Sequence, residues 1–335
     1  MDGTEGQRVA VIGATGVVGD TIVRVLERRG FSVGNYVPVA TDESIGRTIE
    51  AFGQSWPVRG IGDLDFGELD YCFFTAGAAV SRELIPIAVD QGCKVVDNTT
   101  AFRMDASVPL VVPEINGDRV TRDTPLVSCP NCTTINLVMT LAPVLELATI
   151  RRVVVTAFQS VSGAGSRALD ELQRQIEADG GQGAVATEVF DKPIAFNCIP
   201  KVGEITASGY STEEEKIIEE TRKILELPSL DVVPTSVRVP VRVGHALSIN
   251  VELGEAATVD DLKTCWRRAD GLTCDDELPT PVDIAGGDNV AVGRLREDTT
   301  RPHSFSYWAV GDNLRKGAAT NSVQIGELLL ACTMA

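Results

Sequence analysis

The stretch that decides the predicted fold is Arg8-Val-Ala-Val-Ile-Gly-Ala-Thr-Gly-Val-Val-Gly19. A short apolar run ends at Gly13, which is typical of a buried parallel strand. Residues 16–28 follow with apolar side chains at helical spacing. A glycine turn between a strand and a helix lets backbone N–H groups approach a pyrophosphate. The start of the chain therefore predicts dinucleotide binding, although glycines also end strands for purely structural reasons.

The same alternation continues beyond this first unit. A helix is expected at residues 81–90, and short apolar strands are expected at residues 36–40, 71–74, 94–96, 110–112 and 126–128. Strands that alternate with helices predict an α/β protein with a parallel, doubly wound sheet of the Rossmann type.

The pattern changes after a long predicted helix at residues 133–147. Further helices are expected at 167–179 and 211–225, and strands at 152–159, 290–295 and 305–310. Two alternating strands of an antiparallel kind are expected at 237–243 and 246–253. Thr212 and Glu215 fit a capping box at the start of the second of these helices. The last helix, residues 318–331, is apolar enough to pack back on the first domain.

Composition excludes several classes of protein. The 335 residues carry 30 basic and 47 acidic side chains, a formal charge of −17, which argues against nucleic acid and anionic membrane surfaces as partners. No apolar run approaches the roughly 20 residues that span a bilayer. The first seven residues have neither a basic start nor an apolar core, so we expect no signal peptide and a cytoplasmic location.

Cysteine usage points to one reactive thiol. Eight cysteines are scattered along the chain and only Cys129 and Cys132 form a CxxC pair, so neither a disulfide framework nor a metal site is expected. A single cysteine is more often a buried small hydrophobe. Cys132, however, directly precedes a predicted helix and has the polar neighbours Asn131, Thr133 and Thr134. A helix N-terminus lowers a thiol pKa, so Cys132 is predicted to be a nucleophile and Cys129 a packed thiol.

His245 and Arg238 are candidates for the same site. The chain has two histidines, and His245 follows Gly244 between two predicted strands, with Arg238 seven residues earlier. A lone histidine is more often structural. Near a thiolate, these two side chains would supply an acid or base and an anchor for an anion.

Taken together, six motifs resemble those of the aspartate-semialdehyde dehydrogenase family. They are GATGVVG (13–19), PNCTT (130–134), FQSVSGAG (158–165), IAFNCIP (194–200), RVPVRVGH (238–245) and DNLRKGAATNSVQ (312–324). The resemblance implies a dinucleotide-binding domain at 1–131 completed by 314–335, and an α+β catalytic and dimerisation domain at 132–313. It also implies a homodimer or homotetramer.

The resemblance also assigns roles to individual residues. Cys132 would be the nucleophile, His245 the acid or base, and Gln159 the residue that orients a thioacyl intermediate. The residues expected to bind substrate are Arg238, Arg103, Glu213, Lys216 and Asn131. Those expected to line the dinucleotide are Gly13, Thr15, Gly16, Val17, Val18, Thr41, Ser44, Thr75, Ala76, Gly77, Ser162, Gly163, Asn313 and Gln324. Without the family, Glu213 and Lys216 would be interpreted as a surface ion pair three residues apart on a helix.

The implied reaction is the reductive dephosphorylation of aspartyl phosphate to aspartate semialdehyde through a cysteine thioester, in the biosynthesis of lysine, threonine and methionine. One alternative is a malonyl-CoA reductase on the same scaffold, and another is a non-catalytic homologue that acts as a binding module. N-acetyl-glutamyl-phosphate reductase carries a Pro-Gly-Cys motif, whereas this chain has Pro-Asn-Cys.

The implied cofactor is NADP, but one loop departs from the family. Asp42 and Glu43 stand where the family commonly carries an arginine that receives the 2′-phosphate. Carboxylates repel a phosphate and suit a free ribose hydroxyl. Thr41, Ser44 and Arg47 remain available to a phosphate. We therefore expect NADP to be used together with measurable use of NAD.

Overall fold

The computed structural model describes residues 6–178, 186–275 and 277–334. The chain divides into two compact units, one that ends at Pro130 and resumes at Ala318, and one that spans Asn131–Gly317. The strands are β1 Gln7–Ile12, β2 Val33–Val39, β3 Thr48–Ala51, β4 Gln54–Pro57, β5 Tyr71–Phe74, β6 Lys94–Asp97, β7 Leu126–Ser128, β8 Ile150–Gln159, β9 Asp231–Arg238, β10 His245–Leu253, β11 Leu272–Cys274, β12 Val290–Glu297 and β13 Ser304–Gly311. The helices are α1 Val17–Arg29, α2 Ala78–Asp90, α3 Pro113–Asn116, α4 Cys132–Leu141, α5 Ser166–Glu177, α6 Thr212–Ile224, α7 Val259–Arg268, α8 Pro281–Ile284 and α9 Thr320–Met334.

The first unit is built on a parallel sheet of five strands in the order β2-β1-β5-β6-β7. Residues Val9 to Ile12 of β1 are completely buried between β2 and β5. Such burial explains why the strand is a continuous apolar run rather than an alternating one. The predicted parallel α/β sheet is confirmed.

Two details of this unit differ from the sequence-based expectation. Residues 110–112 form no strand; only Leu110 makes an isolated bridge, to Ser128, because Pro113 begins α3 directly afterwards. The hairpin of β3 and β4 was not predicted. Its turn residues Phe52 and Gly53 both have positive φ, as in a type I′ turn. Such turns are usually predicted from Asn-Gly or Asp-Gly, and Phe-Gly does not match that pattern.

The C-terminal helix α9 belongs to the first unit, as the sequence predicted. Arg29 of α1 forms two hydrogen bonds of 2.7 Å with the carboxylate of Glu327. At Gly326 an added Cβ would lie 2.9 Å from the Phe73 ring, so the absence of a side chain lets the helix backbone approach β5.

The second unit contains a mixed sheet in the order β11-β12-β13-β10-β8-β9. The predicted antiparallel strand at 246–253 is confirmed, because β10 is antiparallel to both β8 and β13, but the prediction for 237–243 is wrong. Strand β9 ends at Arg238 and runs parallel to β8, and β8 lies between β9 and β10. Pro240, which has no backbone N–H, follows within two residues, and the chain then crosses to β10 without a hairpin turn.

The helices of the second unit also refine the predictions. The helix expected at 133–147 ends at Leu141 and continues as a 3₁₀ segment, Ala142–Glu146, because Pro143 cannot donate to the α-helical ladder. The predicted end of α5 at Asp179 lies outside the described residues. Helix α7 was not predicted, although Thr258 and Asp261 form a capping box at its start.

The capping box of α6 lies one residue earlier than predicted. Ser211 and Glu214, not Thr212 and Glu215, exchange the two hydrogen bonds. Glu214 is buried and also accepts the backbone N–H of Ser236 at 2.8 Å, which ties α6 to β9. Glu215 instead accepts a hydrogen bond from Thr206. Within the residues that the structure describes, no helix is both long and apolar enough to cross a bilayer.

Candidate active site

Cys132 is the first residue of helix α4, and Asn131 caps that helix. The Asn131 Oδ1 accepts the backbone N–H groups of Thr133 at 2.9 Å and Thr134 at 3.3 Å. The backbone N–H of Asn131 donates to the Glu220 carboxylate at 2.7 Å. Cys132 is partly exposed. Its place in the first turn gives it the positive end of the helix dipole, which favours a thiolate.

A buried carboxylate lies next to this turn. Glu213 accepts from Asn131 Nδ2 at 2.8 Å and Gln159 Nε2 at 3.1 Å, and pairs with Lys216 Nζ at 3.1 Å. Burial by itself would raise the Glu213 pKa, but the Lys216 charge and these hydrogen bonds outweigh it and lower the pKa. Gln159 also donates to Thr133 Oγ1 at 2.9 Å. Glu213 is therefore not half of an ordinary surface ion pair.

His245 is completely buried at the start of β10. Its Nδ1 accepts the backbone N–H of Ser160 at 3.1 Å, which assigns the proton of the neutral ring to Nε2. Among the described residues, Nε2 has no hydrogen-bond partner. Burial, and then the charge of Arg238, lowers the His245 pKa to about 3. The ring is therefore a neutral donor that presents an unused N–H.

Arg238 stands at the end of β9 and is only 7% exposed. Its Nη1 donates to the backbone carbonyl of Ser160 at 2.6 Å. It forms no ion pair with any carboxylate in the described part of the chain. Burial lowers the Arg238 pKa. The charges of Glu213 and Cys132 oppose that lowering. Since no described carboxylate forms an ion pair with the guanidinium, it can still bind an anion directly.

Space beside these two side chains depends on Gly163. A Cβ at this position would lie 3.3 Å from Arg238 Nη1 and 3.3 Å from the His245 ring. The neighbouring Ser162 exchanges hydrogen bonds with the amide of Asn313, which also accepts the backbone N–H of Gly244 at 2.9 Å. Asn313 therefore holds the start of β10 and the loop after β8 together.

The predicted dinucleotide turn of the first unit has the expected geometry. Gly13 has a φ of +95°, and a side chain there would collide with Thr75 Oγ1, which donates to the Ile12 carbonyl at 2.9 Å. A side chain at Gly19 would collide with the Gly13 carbonyl. Gly16 is the N-cap of α1, and no side chain caps the N–H groups in the first turn of this helix. Four more predicted positions flank this turn: Val17 and Val18, which begin α1, and Ala76 and Gly77, which precede α2.

The loop after β2 lies beside this turn. Ser44 Oγ is 3.4 Å from Thr15 Oγ1, and the Ser44 N–H donates to the Thr41 carbonyl at 2.9 Å. Glu43 is exposed. The side chain of Asp42 lies outside the described part of the structure.

The first unit also holds two other predicted residues. Arg103 is buried, and donates from Nε to the Cys129 carbonyl at 2.9 Å and from Nη2 to the Asn98 carbonyl at 3.0 Å. Gln324 on α9 donates to Glu114 at 2.8 Å. Across the described residues, no group of three or more His, Cys, Asp or Glu side chains is arranged to hold a metal.

Three residues that contact the site in the second unit were not predicted from the sequence. Ser160 contacts both His245 and Arg238 through its backbone, and lies inside the quoted motif FQSVSGAG. Glu220 holds Asn131 but is one of several glutamates on an acidic helix, and no sequence signal singles it out. The ring of Phe190 lies 5.9 Å from the Arg238 guanidinium carbon and comes from a remote loop.

Each of the two units matches a model of a known protein family. A family model for the NAD binding domain of semialdehyde dehydrogenases matches residues 8–122, and one for their dimerisation domain matches residues 141–316. The aspartate-semialdehyde dehydrogenase of Legionella pneumophila is 42% identical over 330 residues, which is 96% of this chain and 95% of the relative.

Solved structures agree with this comparison. Aspartate semialdehyde dehydrogenase II of Vibrio cholerae has a TM-score of 0.94 at 39% identity, and the match covers 97% of this chain and 99% of that one. The same enzyme complexed with ASA also gives a TM-score of 0.94 at 39% identity, with 98% of this chain and 99% of that chain covered.

The depressed pKa of His245 predicts a pH-dependent stability. Below pH 6.5 the unfolded chain binds a proton at His245, whereas the folded protein does not until about pH 3. The free energy of unfolding is therefore greatest above pH 6.5 and decreases as the pH falls toward about 3. The loss amounts to at most about 1.4 kcal/mol per pH unit. Urea unfolding at pH 6.5, 5.5 and 4.5 should show a shallower loss in His245→Gln than in the wild type. Parallel pH dependences in the two proteins would contradict the buried, neutral ring.

Gly163→Ala should damage the site without unfolding the protein. The φ of Gly163 is not in the left-handed region, so alanine is compatible with the backbone, but its Cβ displaces Arg238 and His245. We expect kcat/KM to fall by about 10- to 100-fold, with a small change in Tm. Gly62→Ala, where a Cβ meets nothing within 4 Å, is the matched control. Equal activities of the two variants would disprove the crowding.

Proposed function

The chain belongs to the aspartate-semialdehyde dehydrogenase family, and we propose from this premise that it reduces aspartyl phosphate to aspartate semialdehyde through a thioester on Cys132. One observation carries the proposal: the second unit holds both a thiol at a helix N-terminus and a buried arginine. Among the described residues, this arginine has no carboxylate partner. The first side chain performs the chemistry, and the second selects an acid as substrate.

We propose that Cys132 attacks the acyl carbon of the acyl phosphate. The sulfur–carbon bond forms, the carbon–oxygen bond to the phosphate breaks, and inorganic phosphate leaves. The Asn131 cap keeps the first turn of α4 in place while the sulfur carries charge. Gln159, which is fixed by Thr133 and Glu213, would orient the thioester carbonyl.

In the second half of the reaction, the thioester carbon accepts a hydride, which a reduced nicotinamide would supply when bound. The carbonyl oxygen then gains negative charge, and the Nε2–H of His245 is the donor available to stabilise it. Release of the thiolate gives the aldehyde. His245 suits this role because burial keeps it neutral and Ser160 fixes its tautomer.

Charge complementarity assigns the substrate groups. We propose that Arg238 binds the α-carboxylate, that Glu213 binds the α-ammonium group, and that Lys216 binds phosphate. For the first unit, Arg103 stays a predicted phosphate ligand. Malonyl-CoA has no ammonium group to match the buried Glu213. The malonyl-CoA reductase and the non-catalytic homologue have no support in the comparisons.

The first unit suits a nicotinamide dinucleotide. The N–H groups that begin α1 are free of a side-chain cap, and the glycines beside them keep the turn clear of side chains. Within this unit, Gly13, Gly16, Thr75 and Gly77 would contact the dinucleotide. We further propose a homodimer, because the second unit matches a dimerisation-domain model. We also propose a cytoplasmic location, which is the one expected from the sequence.

The finer choice between NADP and NAD is part of the proposal. Thr15, Thr41 and Ser44 offer hydroxyls beside the glycine turn, which favours a 2′-phosphate. Glu43, which is exposed on the same loop, disfavours that phosphate. We propose NADP as the main cofactor with weak discrimination against NAD.

Replacing the nucleophile tests the proposed chemistry. Cys132→Ser should abolish phosphate-dependent oxidation of aspartate semialdehyde and leave Tm unchanged, since a hydroxyl has almost no anionic fraction near neutral pH. Cys198→Ser, at an exposed cysteine outside the site, is the control and should be fully active. Activity of Cys132→Ser above about 3% of the wild type would refute the assignment.

Reversing the charge of Glu43 tests the cofactor choice. Glu43→Arg should raise the ratio of kcat/KM with NADP to kcat/KM with NAD by about tenfold, because an arginine can pair with the 2′-phosphate. Glu83→Arg, an equal charge change at an exposed position of α2, should leave the ratio alone. An unchanged ratio in Glu43→Arg would show that this loop does not face the ribose.

A further inference from the structure

The surroundings of Phe190 point to a role that the sequence motifs do not assign. The Phe190 ring is half-buried and lies 5.9 Å from the guanidinium carbon of Arg238. It packs against a small apolar cluster that comprises Val161, Ala168, Leu172, Ile194, Ala195 and Ile199. Packing therefore fixes the position of the ring, and the ring in turn borders the arginine.

Helix α5 holds the backbone on both sides of this ring. The Glu171 carboxylate accepts the N–H groups of Glu188 at 2.9 Å and Val189 at 2.6 Å. One turn later, Gln175 Oε1 accepts the N–H of Ile194 at 2.7 Å. Glu171 and Gln175 are both buried, so these bonds are shielded from water. The loop at Phe190 is therefore anchored rather than only packed.

Phe190 and Arg238 share the wall of a cavity. This cavity has a volume of about 210 Å³ and is also lined by Ala164, Lys201 and Gly203. Two acidic side chains, Asp191 and Glu204, also line it, and both pair with Lys201, at 2.8 and 3.5 Å. Among the described residues that line the cavity, Arg238 is therefore the cation without an ion pair. The volume suits a small ligand rather than a large one, and Arg238 is the group in this wall that can bind a carboxylate.

We propose that Phe190 is a positioning residue for Arg238 and thereby determines affinity for the carboxylate of the substrate. The Ser160 carbonyl holds Nη1, and the aromatic ring holds the guanidinium by a cation–π contact. Together they fix the plane of the guanidinium fork before substrate arrives, which reduces the entropy lost on binding. The inference rests on the proposed function, because it assigns the anion to the substrate carboxylate.

A purely structural role of Phe190 predicts a different outcome. If the ring only filled the apolar cluster, its loss would lower Tm and would affect all kinetic constants together. If it orients Arg238, its loss raises the KM for the semialdehyde and leaves the KM for phosphate unchanged. The two KM values therefore separate the interpretations.

The experiment compares Phe190→Leu, Phe190→Met and Phe190→Tyr with the wild type. Leucine and methionine both remove the aromatic face. Methionine fills the space better, so Phe190→Met replaces Phe190→Leu in the test if leucine destabilises the fold. We expect both to raise the semialdehyde KM by about 3- to 10-fold with kcat within about twofold, and tyrosine to restore the wild-type value. Phe196→Leu, at an exposed phenylalanine of the same segment, is the matched control.

Two results would overturn the proposal: a semialdehyde KM of Phe190→Leu and Phe190→Met equal to that of the wild type, or a KM for phosphate that rises in parallel. Failure of the proposed function looks different, because the wild type itself would then lack semialdehyde oxidation. In that case calorimetric titration with succinate still tests the arginine. Weaker succinate binding in Phe190→Met than in Phe196→Leu would support the contact, and equal binding would refute it.

Discussion

Asn131 forms hydrogen bonds through three of its polar groups, and the geometry of the second unit around Cys132 depends on these bonds. Its side-chain oxygen caps α4, its amide nitrogen donates to Glu213, and its backbone N–H donates to Glu220. The residue is almost completely buried, so each of these groups would be costly to leave without a partner. Any displacement of α6 relative to α4 therefore breaks hydrogen bonds and moves the turn that carries the thiol.

Helix α6 supplies most of the carboxylates in this arrangement. Its sequence is strongly acidic and suggests a solvated helix, yet Glu213, Glu214 and Glu220 are buried. Burial of carboxylates is tolerable here because each accepts backbone or side-chain N–H groups, and Glu213 has the Lys216 charge beside it. The acidic face of this helix thus holds Asn131, Gln159 and strand β9 in fixed positions.

Ser160 has a similar role for the positively charged part of the site. Its N–H fixes the tautomer of His245, while its carbonyl binds Arg238. The nearby guanidinium is one reason why the His245 pKa is low. Under the proposed function, a substrate carboxylate on Arg238 would neutralise that charge, so the basicity of His245 would rise when substrate is bound. Binding and proton transfer would in this way be linked through one arginine.

The sequence by itself determined the parallel sheet, the glycine turn before α1 and the place of Cys132 at a helix start. Apolar runs, glycine positions and helix caps are local, so a linear sequence records them directly. Tertiary structure alone decided that β8 separates β9 from β10, that Glu214 is bonded to β9, and that Phe190 lies against Arg238. Periodicity shows that a segment is buried or helical but does not identify its partner, because that choice depends on contacts between residues far apart in the chain.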